Sequence, residues 1–125
     1  MNEALARDRA GRTCEYCGLE ESWSLIPFEI DHIIARKHGG PSEEGNLAYS
    51  CFYCNSAKGP NIAGIDPESN EIVRLFHPRN DVWAAHFRSV HGVIQGTTAV
   101  GRTTARVLSM NQPDLVTLRL LSSQE

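Results

Sequence analysis

No stretch of this chain comes near the roughly 18 consecutive apolar residues that a membrane-spanning helix needs, which excludes a bilayer-inserted helix. A basic surplus is also missing: the formal net charge is -3, whereas phosphate binders commonly carry an excess of Lys and Arg. That counts against tight non-specific binding of nucleic acid. The deficit is local, because residues 1–60 hold 6 Lys/Arg against 9 Asp/Glu while residues 61–125 hold 6 against 6. A phosphate ligand near the first half therefore needs a cation to bridge it. Met1 to Arg12 is polar and charged and lacks the apolar core of an export signal, so the expected location is cytoplasmic. Nor is there the bias of a disordered or collagen-like chain, since 41% hydrophobic and 22% charged residues sit near globular averages. At 125 residues one domain spanning 1–125 is expected.

Cysteine is scarce, and what there is falls into a pattern. The only four thiols are Cys14 and Cys17, then Cys51 and Cys54, two Cys-x-x-Cys pairs separated by 33 residues. In an intracellular protein two matched pairs fit a tetrahedral structural zinc site better than disulfides or a redox dithiol. The long insert is tolerable because loop-closure cost grows only logarithmically with length.

That insert carries the most informative stretch, Phe28-Glu29-Ile30-Asp31-His32-Ile33-Ile34. Successive side chains of a strand point to opposite faces, so Asp31 and His32 can address two sides of one small object, a metal on one side and a water on the other. The spacing predicts a short helix over residues 2–10 with a glycine stop at Gly11, and a strand from Trp23 with Pro27 at its edge or start. A loop follows around Arg36-Lys37-His38-Gly39-Gly40-Pro41, then a second strand at Leu47-Ala48-Tyr49-Ser50. A helix over Cys51–Lys58 is ended by Gly59 and Pro60. On that helix Cys51 and Cys54 share a face, with Asn55 and Lys58 on or beside it. The second half reads as a hairpin over 62–76, a short helix over 80–87, one strand over 90–95, and helices over 98–110 and 113–121.

In order and spacing Cys14, Cys17, Asp31-His32, Gly39-Gly40, Asn46-Leu47, Cys51, Cys54, Asn55, Lys58 and Gly59 resemble the HNH (ββα-metal) nucleases, in the subtype with a four-cysteine zinc knuckle. The resemblance covers residues 14–60 strongly. Phe76-His77-Pro78-Arg79, Trp83, His86-Phe87 and Gly101-Arg102 are similar to a tail found on a bacterial and cyanobacterial branch. Asn55 stands where the family name has its last H, which makes the chain an HNN variant. The resemblance implies an α+β fold: a ββα-metal (His-Me finger) core at 12–60 with a structural four-cysteine zinc site, and an α/β C-terminal extension at 61–125 that braces it.

It also implies a metal-dependent endonuclease acting on DNA, with RNA left open, by nicking or double-strand cleavage. His32 is then the general base, and Asn46 the middle residue, either hydrogen-bonding the loop between the strands or orienting the imidazole. Asp31 and Asn55 hold a catalytic divalent ion, and their oxygens favour Mg²⁺ or Mn²⁺. Arg36, Lys37 and His38 lie near the phosphate backbone, and Lys58 either joins them or interacts with the helix C-terminus. His77, His86 and His91 are irregularly spaced and expected in packing or loop roles. Arg74, Arg79, Arg102 and Arg106 are either a phosphate-contacting surface or simply solvated. The competing reading is a catalytically inactive zinc-organised module that binds nucleic acid or protein. Oligomeric state is open.

Overall fold

The computed structural model describes residues 1–124 and has an α+β architecture. Helix α1 (Glu3–Arg9) begins where the Asn2 side chain accepts from the Leu5 amide at 2.9 Å and ends before Gly11, whose φ of 63° only glycine adopts without strain. The strand expected from Trp23 starts later. Residues Glu21–Trp23 form a single 3₁₀ turn, and β1 covers only Glu29–His32. The Ser24 hydroxyl bonds the Ile26 amide and carbonyl, so local side-chain bonding outcompetes the extended ladder before Pro27.

β1 pairs antiparallel with β2 (Leu47–Ser50), with Asp31 opposite Ala48 and His32 opposite Leu47. Helix α2 (Phe52–Lys58) follows at once; Cys51 is its N-cap, its sulfur accepting from the Cys54 amide at 3.4 Å, and Gly59 stops it. Strand, loop, strand and helix thus occur in the expected order.

The second half adds two more ribbons. β3 (Ala63–Ile65) pairs with β4 (Ile72–Arg74). After α3 (Trp83–His86), β5 (Phe87–Val90) pairs with β6 (Val93–Gly96). A single strand over 90–95 was expected there; instead His91 and Gly92 both take positive φ, 50° and 81°, and form the two-residue turn that matches strand twist in a hairpin. Helices α4 (Ala99–Val107) and α5 (Pro113–Ser122) close the fold, and the chain turns out of the first at Ser109, whose φ is 49°. Among the described residues no helix is long and apolar enough to cross a membrane.

The ribbons do not merge into one sheet; the core joins them. Tyr16, Leu19, Phe28, Ile33 and Tyr49 from the first half form one buried cluster with Phe76, Phe87, Ile94, Leu108, Met110 and Leu115 from the second. Trp83 stacks on Phe87 at 5.1 Å between ring centroids and donates its indole N–H to the Tyr16 carbonyl at 2.8 Å. Arg79 pairs with Glu15 beside it. The C-terminal half therefore grips the first Cys-x-x-Cys turn directly.

Candidate functional site

The four cysteines, far apart in sequence, meet in the interior. All are free thiols and buried, and their sulfur atoms lie within 4.8 Å of one another. A tetrahedral ion with sulfur at about 2.3 Å puts neighbouring sulfurs about 3.8 Å apart, and Cys17 Sγ lies 3.9 Å from Cys51 Sγ. In each pair the second cysteine's amide points at the first one's sulfur, at 3.5 Å for Cys17 to Cys14 and 3.4 Å for Cys54 to Cys51. Burial pushes the Cys14 thiol up, but hydrogen bonds from Cys17, Cys51 and Cys54 outweigh it and hold Cys14 well below its ordinary value. Cys17 and Cys54, bonded to Cys14, are pushed well above theirs. A divalent cation stabilises all four as thiolates, and the donor set suits zinc.

Strand β1 leaves this centre with its side chains alternating. Asp31 points inward and is 5% exposed. Its Oδ2 accepts from the Tyr16 hydroxyl at 2.6 Å and lies 3.2 Å from Lys58 Nζ. Burial raises the Asp31 pKa, against the lowering by Lys58 and Tyr16; burial and the neighbouring carboxylate together raise Tyr16 well above the ordinary phenol range. The carboxylate expected at a catalytic ion is thus already engaged by an ammonium and a hydroxyl, its Oδ1 having only the 3.5 Å contact to Lys58.

His32 points the other way, half-buried, toward the loop. Its Nε2 lies 2.9 Å from Ser42 Oγ, and Arg36 Nε donates to it at 3.3 Å. Arg36, Lys37 and His38 form an exposed 3₁₀ turn beside it.

The loop itself is held by Asn46. Its Oδ1 accepts from the Ile34 amide at 2.9 Å while Nδ2 donates to the Ile34 and Pro41 carbonyls at 2.9 and 2.8 Å. Of the two roles open to Asn46, the contacts are those of the loop clamp. Gly40 passes so close that a Cβ there would sit 1.7 Å from the Ile34 carbonyl oxygen. Asn55, on the exposed side of α2, donates Nδ2 to Glu29 at 2.5 Å, which leaves its amide oxygen turned away from that bond.

Lys58 corrects the expectation of a phosphate contact. It is 1% exposed, and its ammonium bonds the His32 and Ile33 carbonyls at 3.2 and 2.9 Å besides Asp31. Three of the four arginines singled out in the second half are paired with carboxylates, the exposed Arg74 with Asp81, Arg79 with Glu15 and Arg102 with Asp66. The His77 imidazole accepts from the Arg79 and Asn80 amides, and His86 bonds Thr98, both in loop and packing roles. Sequence reasoning passed over Tyr16 and Glu29. The available signal was alternation, since Glu29 shares the Asp31 face of β1; Tyr16 had none, because its contact with Asp31 spans 15 positions of chain.

A family model described as HNH endonuclease matches residues 14–61. Over these residues the chain is similar to HNH endonucleases. The match begins at the first cysteine and ends just past α2, so it takes in the cysteine cluster, both strands, the Asn46 loop and the helix with Asn55. No curated protein and no solved structure matches the chain. The matched segment encloses the four-cysteine cluster, whose sulfur atoms lie close enough together to hold one metal ion.

Proposed function

We propose that the protein is a divalent-cation-dependent endonuclease that hydrolyses phosphodiester bonds of DNA, with His32 as general base. The carrying observation is the HNH match together with a half-exposed imidazole whose Nε2 faces Ser42 Oγ and Arg36 Nε at the mouth of the loop. In this reading Nε2 takes a proton from water as that water attacks phosphorus. The bond to the 3′ oxygen then breaks with its electron pair going to that oxygen, which takes a proton from solvent water, leaving a 5′-phosphate and a 3′-hydroxyl. A positioned base of this kind contributes about 10² to 10⁴ in rate. Asn46 holds the loop that carries Ser42 and Arg36, and so keeps the imidazole partners in place. Arg36, Lys37 and His38 offer exposed cationic or polar side chains to the flanking backbone.

A hard ion such as Mg²⁺ or Mn²⁺ would draw oxygen donors from Asp31, whose carboxylate it would share with Tyr16 and Lys58, and from Asn55, whose Nδ2 is bonded to Glu29. Asp31 and Asn55 would hold it. Such an ion supplies Lewis-acid stabilisation of charge on the phosphoryl and departing oxygens, and turns a locally acidic site attractive to phosphate.

A second reading rests on one contact. Lys58 already supplies a positive charge to Asp31 at 3.2 Å, which favours a domain that keeps its zinc scaffold and binds nucleic acid or protein without cleaving it. Conversion of supercoiled plasmid with Mg²⁺ or Mn²⁺ separates the two. Cleavage by the parent and its loss in His32→Ala is the expected result; undiminished cleavage by the variant removes the base, and binding without cleavage under any divalent ion favours the module.

A further inference from the structure

Two side chains converge on Asp31 from the two halves of the cysteine site, and neither takes part in the chemistry above. Tyr16 lies between Cys14 and Cys17, is completely buried, and gives its hydroxyl to Asp31 Oδ2 at 2.6 Å. Lys58 lies one turn beyond Cys54 on α2, also buried, with Nζ 3.2 Å from Asp31 Oδ2 and bonded to the His32 and Ile33 carbonyls at 3.2 and 2.9 Å. A buried ammonium is tolerated only where its three protons find acceptors. Here one carboxylate and two peptide oxygens, all from consecutive residues 31–33, supply them. The sulfur cluster fixes the backbone at both starting points, so the segment that presents His32 is gripped from each side by a residue anchored to a different Cys-x-x-Cys pair.

We infer that Tyr16 and Lys58 are positioning residues through which the four-cysteine site sets the geometry of Asp31 and the His32 peptide. The metal centre then does more than close a loop. Its two knuckles reach the reaction strand through these two side chains, as outer partners orient the groups that touch substrate or ion elsewhere. The inference rests on the reading of His32 as the base.

The test uses the zinc-loaded full chain carrying Tyr16→Phe, which deletes a single hydroxyl, and Lys58→Met, which keeps most of the volume and removes the charge. Zinc content, amide hydrogen exchange, and plasmid cleavage with Mn²⁺ are measured together. One zinc per chain should remain and the Cys54 amide should exchange as in the parent. The Ile33 amide, bonded to the Asn46 carbonyl at 2.9 Å, should exchange about tenfold faster, and kcat should fall about 10- to 100-fold. KM should stay within about twofold, the pattern of a lost transition-state interaction. An unaltered Ile33 exchange in Tyr16→Phe overturns the inference, even if Lys58→Met does not fold. Faster exchange with undiminished kcat in an active enzyme overturns it as well. Should the parent cleave nothing with any divalent ion, the endonuclease reading falls alone, and the Ile33 exchange still decides whether Tyr16 and Lys58 position the strand.

Discussion

The two halves of the molecule bury different chemistry. Within residues 14–61 four thiols, the Tyr16–Asp31–Lys58 triad and the Asn46 clamp are buried beside apolar residues such as Leu19, Phe28 and Ile33, whereas beyond them Leu75, Phe76, Phe87, Ile94, Leu108, Met110 and Leu115 are buried with Asp66, Thr103, Thr104 and Arg119, and without thiols. Apolar burial is non-directional and stabilises by about 1.5–3 kcal/mol for each large side chain. A polar interior stabilises only where each group finds its partner, and leaving one unpaired costs about 1–3 kcal/mol. The first half therefore leans on its thiols and on directed bonds, and the second leans more on area. The candidate chemistry sits in the first half, where position is specified by bonds of fixed length and direction.

The largest effect that would break this contrast is removal of the metal. Structural zinc is worth about 10–16 kcal/mol in small domains, so chelation should erase the amide spectrum of residues 14–61. The β5–β6 hairpin under α4 and α5 should keep its dispersion, and loss of every signal in one transition would show that the two halves are not separately conditioned. His32→Ala comes next, with cleavage down about 10² to 10⁴-fold and the thermal midpoint nearly unchanged, as scanning calorimetry would check. Phe87→Ala, at the stack with Trp83, should cost about 3–5 kcal/mol in denaturant unfolding while bound zinc stays at one per chain.

Smaller substitutions sharpen the boundary between the halves. Trp83→Phe keeps one aromatic ring against Phe87 but loses the N–H bond to the Tyr16 carbonyl, worth about 0.5–1.5 kcal/mol, together with the packing of the second ring, by the same unfolding measurement. The smallest effect concerns acid. Hydrogen bonds from Arg102 hold the Asp66 carboxyl below the usual carboxylate range, against the opposing effect of burial. The folded state thus binds that proton less readily than the unfolded chain. Its stabilising share is complete above the ordinary aspartate value of about 3.9 and is lost as the pH falls toward the folded value. Arg102→Gln should flatten the acid limb of the melting profile; an unchanged limb would remove the pair from the comparison.

Much of the first half was legible because its signals are local or spaced by rule. Two Cys-x-x-Cys pairs announce the cluster, β2 and α2 lie where alternation, the cysteine spacing and the Gly59 stop place them, and Asn46 clamps a loop that its residue type favours. The errors have equally physical origins. Ser24 and Pro27 shorten the first strand, and the His91-Gly92 turn splits one expected strand into a hairpin. Lys58 read as a surface cation because lysine is almost never fully buried without partners, and its partners lie 25 to 27 positions away.

The sequence by itself determined which groups are present and which faces they share: the thiol pairs, the alternation of Asp31 and His32, and the helix that carries Cys54, Asn55 and Lys58 on neighbouring turns. Only the tertiary structure decided what each group is bonded to. It committed Asp31 to Tyr16 and Lys58, turned Asn55 to Glu29, and left His32 facing Ser42 and Arg36. Periodicity specifies direction along one element, whereas a hydrogen bond between elements depends on distances that arise only after the cysteine cluster and the shared core have brought them together.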